Sequence, residues 1–173
     1  MDKNLYIIAA VDNNNGIGKD GKLPWHFKTE MAHFKSVTTK TEDPNKKNMV
    51  IMGRTTWESI PESFRPLPER VNVVLTRRAE YEAEGALVAN SFEQALELAD
   101  DNVENIFAIG GMDIYSEAME RKDLSGIYLT RIDNVYDVDT YFPGIPGDFS
   151  DMTPLGADEE DGVDMLYMLL KRA

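Results

Sequence analysis

Glu30 stands among apolar neighbours. Phe27, Met31 and Phe34 lie at i−3, i+1 and i+4, so a helix through this stretch carries Glu30 on its apolar face. Desolvation raises a carboxyl pKa and suits the group to proton chemistry or to gripping a cationic heterocycle. The plainer alternative is a solvated residue at the edge of the stripe. His26 and His33 are rival acid–base groups, and both also fit a surface helix face. A second chemistry is suggested by Ile109-Gly110-Gly111-Met112-Asp113-Ile114-Tyr115, a strand-to-helix joint. Paired glycines admit close backbone approach, and a helix N-terminus offers free N–H donors, so a pyrophosphate would fit, as would a plain tight turn. Gly53-Arg54-Thr55-Thr56 makes a similar joint, and Arg77 and Arg78 end another strand. Arginine forks bind phosphate bidentately. One phosphate site at a helix N-terminus and another held by arginines suggest a dinucleotide with an extra 2′-phosphate; surface ion pairs are the alternative.

Two other motifs fail on inspection. Gly16, Gly21 and Lys22 match the spacing of a P-loop, but Leu23 replaces the magnesium-binding hydroxyl and Pro24-Trp25 replaces the start of the helix. A calcium loop from Asp12 fails because Gly16 and Ile17 hold its fifth and sixth positions and Leu23 its bidentate glutamate.

The elements that must position these groups alternate in type. Leu5–Val11 reads as a buried strand, and Asn13–Gly21 as loop by composition, punctuated by Pro24. Lys28–Thr38 reads as an amphipathic helix, and Thr39–Asn48 as an exposed excursion. Met49–Met52, Val71–Thr76, Ala86–Ala89, Ile106–Ile109 and Gly126–Ile132 read as strands. Thr55–Ile60 is a short helix stopped by Pro61. Ser91–Gln94 is a capping box ahead of the apolar face Phe92, Ala95, Leu96 and Ala99, and a further helix runs to about Met119. Met165–Lys171 is ambiguous by periodicity. The alternation predicts an α/β architecture with a largely parallel sheet. Ligands bind beyond the carboxyl ends of such strands. The glycine-bearing loops Val11–Phe27, Gly53–Thr56 and Gly110–Tyr115 would meet there.

The 173 residues suit one domain, 1–173, able to bury roughly 70% of its extended surface. With no cysteine, a disulfide scaffold, a thiolate zinc site and a cysteine nucleophile are excluded. Eighteen basic against 31 acidic residues give a net charge of −13, which disfavours nucleic acid and anionic membranes as partners. The acidity serves either solubility or life in a salty medium. No run approaches the ~20 apolar residues of a membrane span, and Met-Asp-Lys-Asn is no signal sequence. A cytoplasmic chain is expected.

The ordered segments Ile7-Ile8-Ala9-Ala10, Gly16-Ile17-Gly18, Leu23-Pro24-Trp25, Met52–Ile60, Arg65–Arg70, Asn72–Arg77, Ile109-Gly110-Gly111 with Ile114-Tyr115, Tyr128-Leu129-Thr130 and Asp139–Pro143 resemble the dihydrofolate reductase family over nearly the whole chain. The resemblance implies an eight-stranded mixed, mainly parallel sheet flanked by helices. Its last strand is antiparallel, which makes Met165–Lys171 a strand. It implies reduction of 7,8-dihydrofolate to tetrahydrofolate with NADPH, by a cytoplasmic monomer with no metal site. Glu30 would bond the pterin and favour protonation of N5 through water, with Thr130 bonding and orienting it, Trp25 holding the water and Tyr115 near the hydride path. Ile8 and Ile109 would offer carbonyls to the pterin. Met31, Phe34, Ile60 and Leu67 would line the aminobenzoyl groove, and Arg70 would pair with the substrate's glutamate carboxylate. For NADPH, Ala10 and Ile17 would bond the carboxamide. Gly18, Gly53, Gly110 and Gly111 would allow close approach. Arg54, Thr55, Thr56, Thr76 and Arg77 would hold phosphates, the two arginines reading the 2′-phosphate. Asn13–Phe27 would form a lid, bonded by Asp139. Glu30 stands where many bacterial members carry aspartate, and Asp113 adds a negative charge beside the glycine pair.

Overall fold

The computed structural model describes residues 2–173. Strands β1 (Asn4–Val11), β3 (Lys47–Gly53), β4 (Arg70–Leu75), β5 (Leu87–Ala89), β6 (Val103–Ala108) and β7 (Leu124–Ile132) pair in parallel. The hairpin of β9 (Asp151–Glu160) and β10 (Val163–Lys171) adds antiparallel to β7. The order is β5-β4-β3-β6-β1-β7-β10-β9, eight strands in one mixed sheet. Two short strands, β2 (Gly16–Gly18) and β8 (Thr140–Tyr141), pair apart from it.

Alternation divides the strand side chains between two faces. Leu5, Ile7, Ala9 and Val11 of β1 pack with Ile51, Ile106 and Ala108 under helices α3 (Phe92–Glu97) and α4 (Met112–Met119). Ile8, Val50, Met52 and Phe107 face the opposite way, against Trp57 of α2 (Arg54–Ser59) and against Phe34 and Val37 of α1 (Lys28–Thr39). Helices on both faces explain why the central strands read as continuous apolar runs. The described residues include no helix long and apolar enough to cross a membrane.

Several local expectations change. The stretch Thr39–Asn48 is not wholly an exposed excursion, because β3 already begins at Lys47 and Asn48 is fully buried. Its side-chain amide donates to the carbonyls of Thr38 (3.0 Å) and Lys40 (2.8 Å), tying the end of α1 to the sheet. Ser91 caps α3 as expected, accepting from the Gln94 N–H at 3.0 Å. Gln94 reaches back one residue further than a capping box requires, to the Asn90 N–H. The Asn13–Phe27 loop is not loop throughout, since it contains β2. Strand β9 was not legible from local pattern: nine of its ten residues are exposed, so it carries no apolar alternation.

Candidate active site

The carboxyl ends of β3, β6 and β1 lie side by side in the sheet, and Glu30 of α1 stands near enough for its charge to reach Tyr115, which bonds Ile8 of β1 and Ile109 after β6. Glu30 lies in the first turn, where helical N–H groups lack partners. Phe27 precedes the helix and cannot cap it. Glu160 at the end of β9 does so instead, accepting from the Lys28 and Thr29 N–H groups at 2.9 Å and from the Thr29 hydroxyl at 3.1 Å. Sequence reading missed this contact, since the partners lie 131 and 132 positions apart.

Glu30 is buried, only 8% exposed, and forms no ion pair with any described residue. Burial pushes its carboxyl up to about 7. The solvated alternative is thereby set aside. Two tyrosines feel its charge: Tyr115 on α4 and Tyr167 on β10, both raised above the ordinary phenol first by burial. His26 is exposed. His33 stacks on Tyr167 with ring centres 3.9 Å apart, and burial lowers its pKa.

Of the residues expected to serve Glu30, Thr130 is buried on β7 and Trp25 is buried near the end of Asn13–Phe27. The expected Thr130–Glu30 hydrogen bond is not among the contacts formed by the described residues. Thr130 sits in register between Ala10 of β1 and Tyr167 of β10. The buried Trp25 indole N–H has no partner among the described residues, a donor suited to an ordered water. The Tyr115 hydroxyl lies 3.0 Å from the carbonyls of both Ile8 and Ile109, so the two carbonyls expected to face a ligand already share one donor. Ile8, Phe34, Ile60, Leu67 and Ile109 belong to a single apolar cluster, whereas Met31 stands half exposed on α1.

Arg70 begins β4 and is 8% exposed. Its Nε donates to the Pro68 carbonyl (2.9 Å) and its guanidinium also to the Thr38 hydroxyl (3.0 Å), with no carboxylate paired to it among the described residues. Asn48 holds the end of α1, and Thr38 on that helix holds Arg70. Sequence reading had assigned Asn48 and Thr38 no part in the site.

The glycine joints come together. The Gly53 N–H donates to the Gly110 carbonyl at 2.9 Å. A Cβ on Gly53 would lie 3.7 Å from Ile114, one on Gly111 3.9 Å from the Thr56 hydroxyl, and one on Gly21 3.1 Å from Thr55. Gly110 has φ +121°, and a Cβ there would stand 3.2 Å from the Tyr115 hydroxyl, so only glycine fits without strain. The Gly110–Gly111 peptide is cis. Asp113 is exposed. Arg54 is held by Glu58 at 2.7 Å, while the exposed Arg77 makes no ion pair among the described residues. Thr76 is buried, its hydroxyl accepting from the Arg78 N–H.

The segment expected to form the lid is anchored at its start and near its middle. The buried Asp12 accepts from the N–H groups of Asn14, Gly16 and Tyr136 at 2.7–3.0 Å. Asp139 accepts from the Asp20 N–H at 3.0 Å, and its own N–H donates to Gly18, as the expected loop contact requires. Ile17 is buried, and Ala10 and Gly18 are half buried beside it.

A model of the dihydrofolate reductase family matches residues 4–172. A dihydrofolate reductase of Drosophila melanogaster is 39% identical, covering 96% of each chain. One of Aedes albopictus is 37% identical, covering 98% of each. A bifunctional dihydrofolate reductase-thymidylate synthase of Arabidopsis thaliana is 44% identical over 80% of this chain and 28% of its own length. With nearly its full length matched and its eight-stranded sheet, this chain belongs to the dihydrofolate reductase family.

Proposed function

We propose that the chain reduces 7,8-dihydrofolate to 5,6,7,8-tetrahydrofolate with NADPH, Glu30 assisting protonation of N5, and so supplies one-carbon metabolism and thymidylate synthesis. The observation that carries this reading is a buried carboxyl, unpaired among the described residues and held at about 7, beside the Tyr115 that bonds Ile8 of β1 and Ile109 after β6. A group of that affinity holds a proton at working pH and passes it on at little cost. The unpartnered Trp25 N–H supports a water between Glu30 and N5. Thr130, buried on β7, would orient the carboxyl when the pterin arrives. Ile8 and Ile109 offer carbonyls, each with a second lone pair beyond Tyr115. Met31, Phe34, Ile60 and Leu67 grip the aminobenzoyl ring, and the half-exposed Met31 gains cover in doing so. Arg70 supplies the fork for a carboxylate.

When bound, NADPH supplies the hydride. The glycine joints at Gly53 and Gly110–Gly111 meet through one backbone hydrogen bond at the N-termini of α2 and α4, where free N–H donors suit a pyrophosphate, and Arg77 is a cation without an ion pair among the described residues of a strongly acidic chain, so the residues present fit that cofactor. Ala10, Ile17 and Gly18 would hold its carboxamide end, and Thr55, Thr56, Thr76, Arg54 and Arg77 its phosphates. Asn13–Phe27 would exclude water over the reacting ring.

The test is loss of NADPH absorbance on adding dihydrofolate, with NADH in parallel, from low to high salt. Folded protein that oxidises neither cofactor would overturn the proposal. Glu30→Gln assayed across pH isolates the acid: near-normal rates at every pH would remove Glu30 from its role.

A further inference from the structure

Arg54 and Arg77 lie on segments that leave the β3–β4 ladder after its last pair, Gly53 and Leu75, and beyond that pair something must hold the segments in register if both arginines are to reach one phosphate. Arg54 opens α2. Arg77 follows β4, on the segment that continues through Arg78 to Tyr81. Glu58, four residues after Arg54 on α2, spans the gap. One of its oxygens accepts from Arg54 at 2.7 Å, and the other accepts from the Tyr81 hydroxyl at 2.8 Å. Tyr81 is half buried and packs on the apolar cluster containing Trp57, so its hydroxyl is fixed in place. We propose that Glu58 and Tyr81 are specificity-positioning residues that staple the Arg77 segment to α2, so that two guanidinium groups address the 2′-phosphate of NADPH. This rests on the reading of the chain as NADPH-dependent.

Three features support a staple over an incidental surface pair. A guanidinium has five N–H donors, and Glu58 engages Arg54 at one nitrogen, leaving a fork to offer. Both oxygens of Glu58 are committed, one to each element, and a bridged carboxylate holds geometry better than an exposed pair closed at one end. Its carboxyl lies below the ordinary range, first through the Tyr81 hydrogen bond and then through the charges of Arg54 and Arg78, against the opposing cost of burial. The carboxylate therefore stays charged and bridging at neutral pH.

NADH lacks the 2′-phosphate and is the internal control, because damage to the rest of the site weakens both cofactors alike. Dissociation constants for NADPH and NADH would be measured by tryptophan fluorescence quenching on wild type, Tyr81→Phe, Glu58→Ala and the double variant. Tyr81→Phe keeps the packed ring and removes only the bridge. It should weaken NADPH roughly threefold to tenfold, the range for losing a hydrogen bond to a charged, partly exposed group, and leave NADH unchanged. Glu58→Ala should do at least as much, and adding Tyr81→Phe to it should change nothing more. Parallel losses for both cofactors, a wild-type NADPH/NADH ratio in Tyr81→Phe, additive losses in the double variant, or tighter NADPH binding in Glu58→Ala would each overturn the staple while leaving the NADPH reading intact. A wild-type protein with no preference between the cofactors would overturn that reading, and the staple with it.

Discussion

Replacing Glu30 by glutamine should make the protein more stable at neutral pH while it costs activity. The native carboxyl is held at about 7 against an ordinary 4.5, through burial. A native-state pKa above the unfolded one means the folded chain keeps a proton that the unfolded chain releases. Its stabilisation is fully present below pH 4.5 and is lost as pH rises through about 7. A rise of about 2.5 units at 1.36 kcal/mol each comes to about 3 kcal/mol. Glutamine keeps the volume and is neutral throughout, so the variant escapes that loss. Wild type and Glu30→Gln should melt together near pH 4.5 and diverge to a plateau by about pH 7–8. The variant should then be higher by roughly 6–12 °C, taking about 2–4 °C per kcal/mol for a chain of this size. Matched calorimetric scans at fixed ionic strength measure the difference, and the repulsion among excess carboxylates cancels between the two proteins. A melting difference flat from about pH 4.5 to 8 would refute the reasoning, because it would mean a hydrated Glu30 with ordinary affinity. The same titration predicts that wild-type turnover falls as pH rises above about 7, a fall that Glu30→Gln should not reproduce.

Arg70→Ala should raise the KM for dihydrofolate about tenfold to a hundredfold, the equivalent of one charged hydrogen-bonded pair, and leave the NADPH dissociation constant unchanged in fluorescence titrations. Asp12→Ala strands three backbone N–H groups at the base of the lid segment. It should cost on the order of 3 kcal/mol in urea unfolding and weaken NADPH binding as the loop loosens. Gly110→Ala forces a side chain to φ +121° against the Tyr115 hydroxyl. It should destabilise by roughly 1–3 kcal/mol and impair binding of both NADPH and NADH, read by thermal melting and by titration.

The central strands could be read locally because they are covered on both faces, and burial of that kind leaves continuous runs such as Ile7–Val11 and Val50–Met52. Glu30 was legible for a related reason: a carboxylate among Phe27, Met31 and Phe34 needs only a helical period to be placed on an apolar face. The glycine joints were legible as strand-to-helix turns because glycine pairs punctuate a chain at such points. Strand β9 was not, since an exposed edge strand presents no pattern beyond its backbone. Nor were the contacts that complete the site. Glu160 capping α1, Thr38 holding Arg70, and Tyr81 reaching Glu58 each join residues between 23 and 132 positions apart.

The sequence by itself determined the α/β class with a largely parallel sheet, the strand-to-helix glycine joints and the place of Glu30 on an apolar helix face, because these follow from periodicity, glycine placement and one carboxylate among apolar side chains. Tertiary structure alone decided that Glu30 is dry enough to titrate near neutrality, that Arg70 is left without a carboxylate among the described residues and Arg54 with one, and that Trp25 keeps an unsatisfied N–H. Those outcomes depend on desolvation and on partners brought across the fold, and such quantities are set only when distant segments pack against one another.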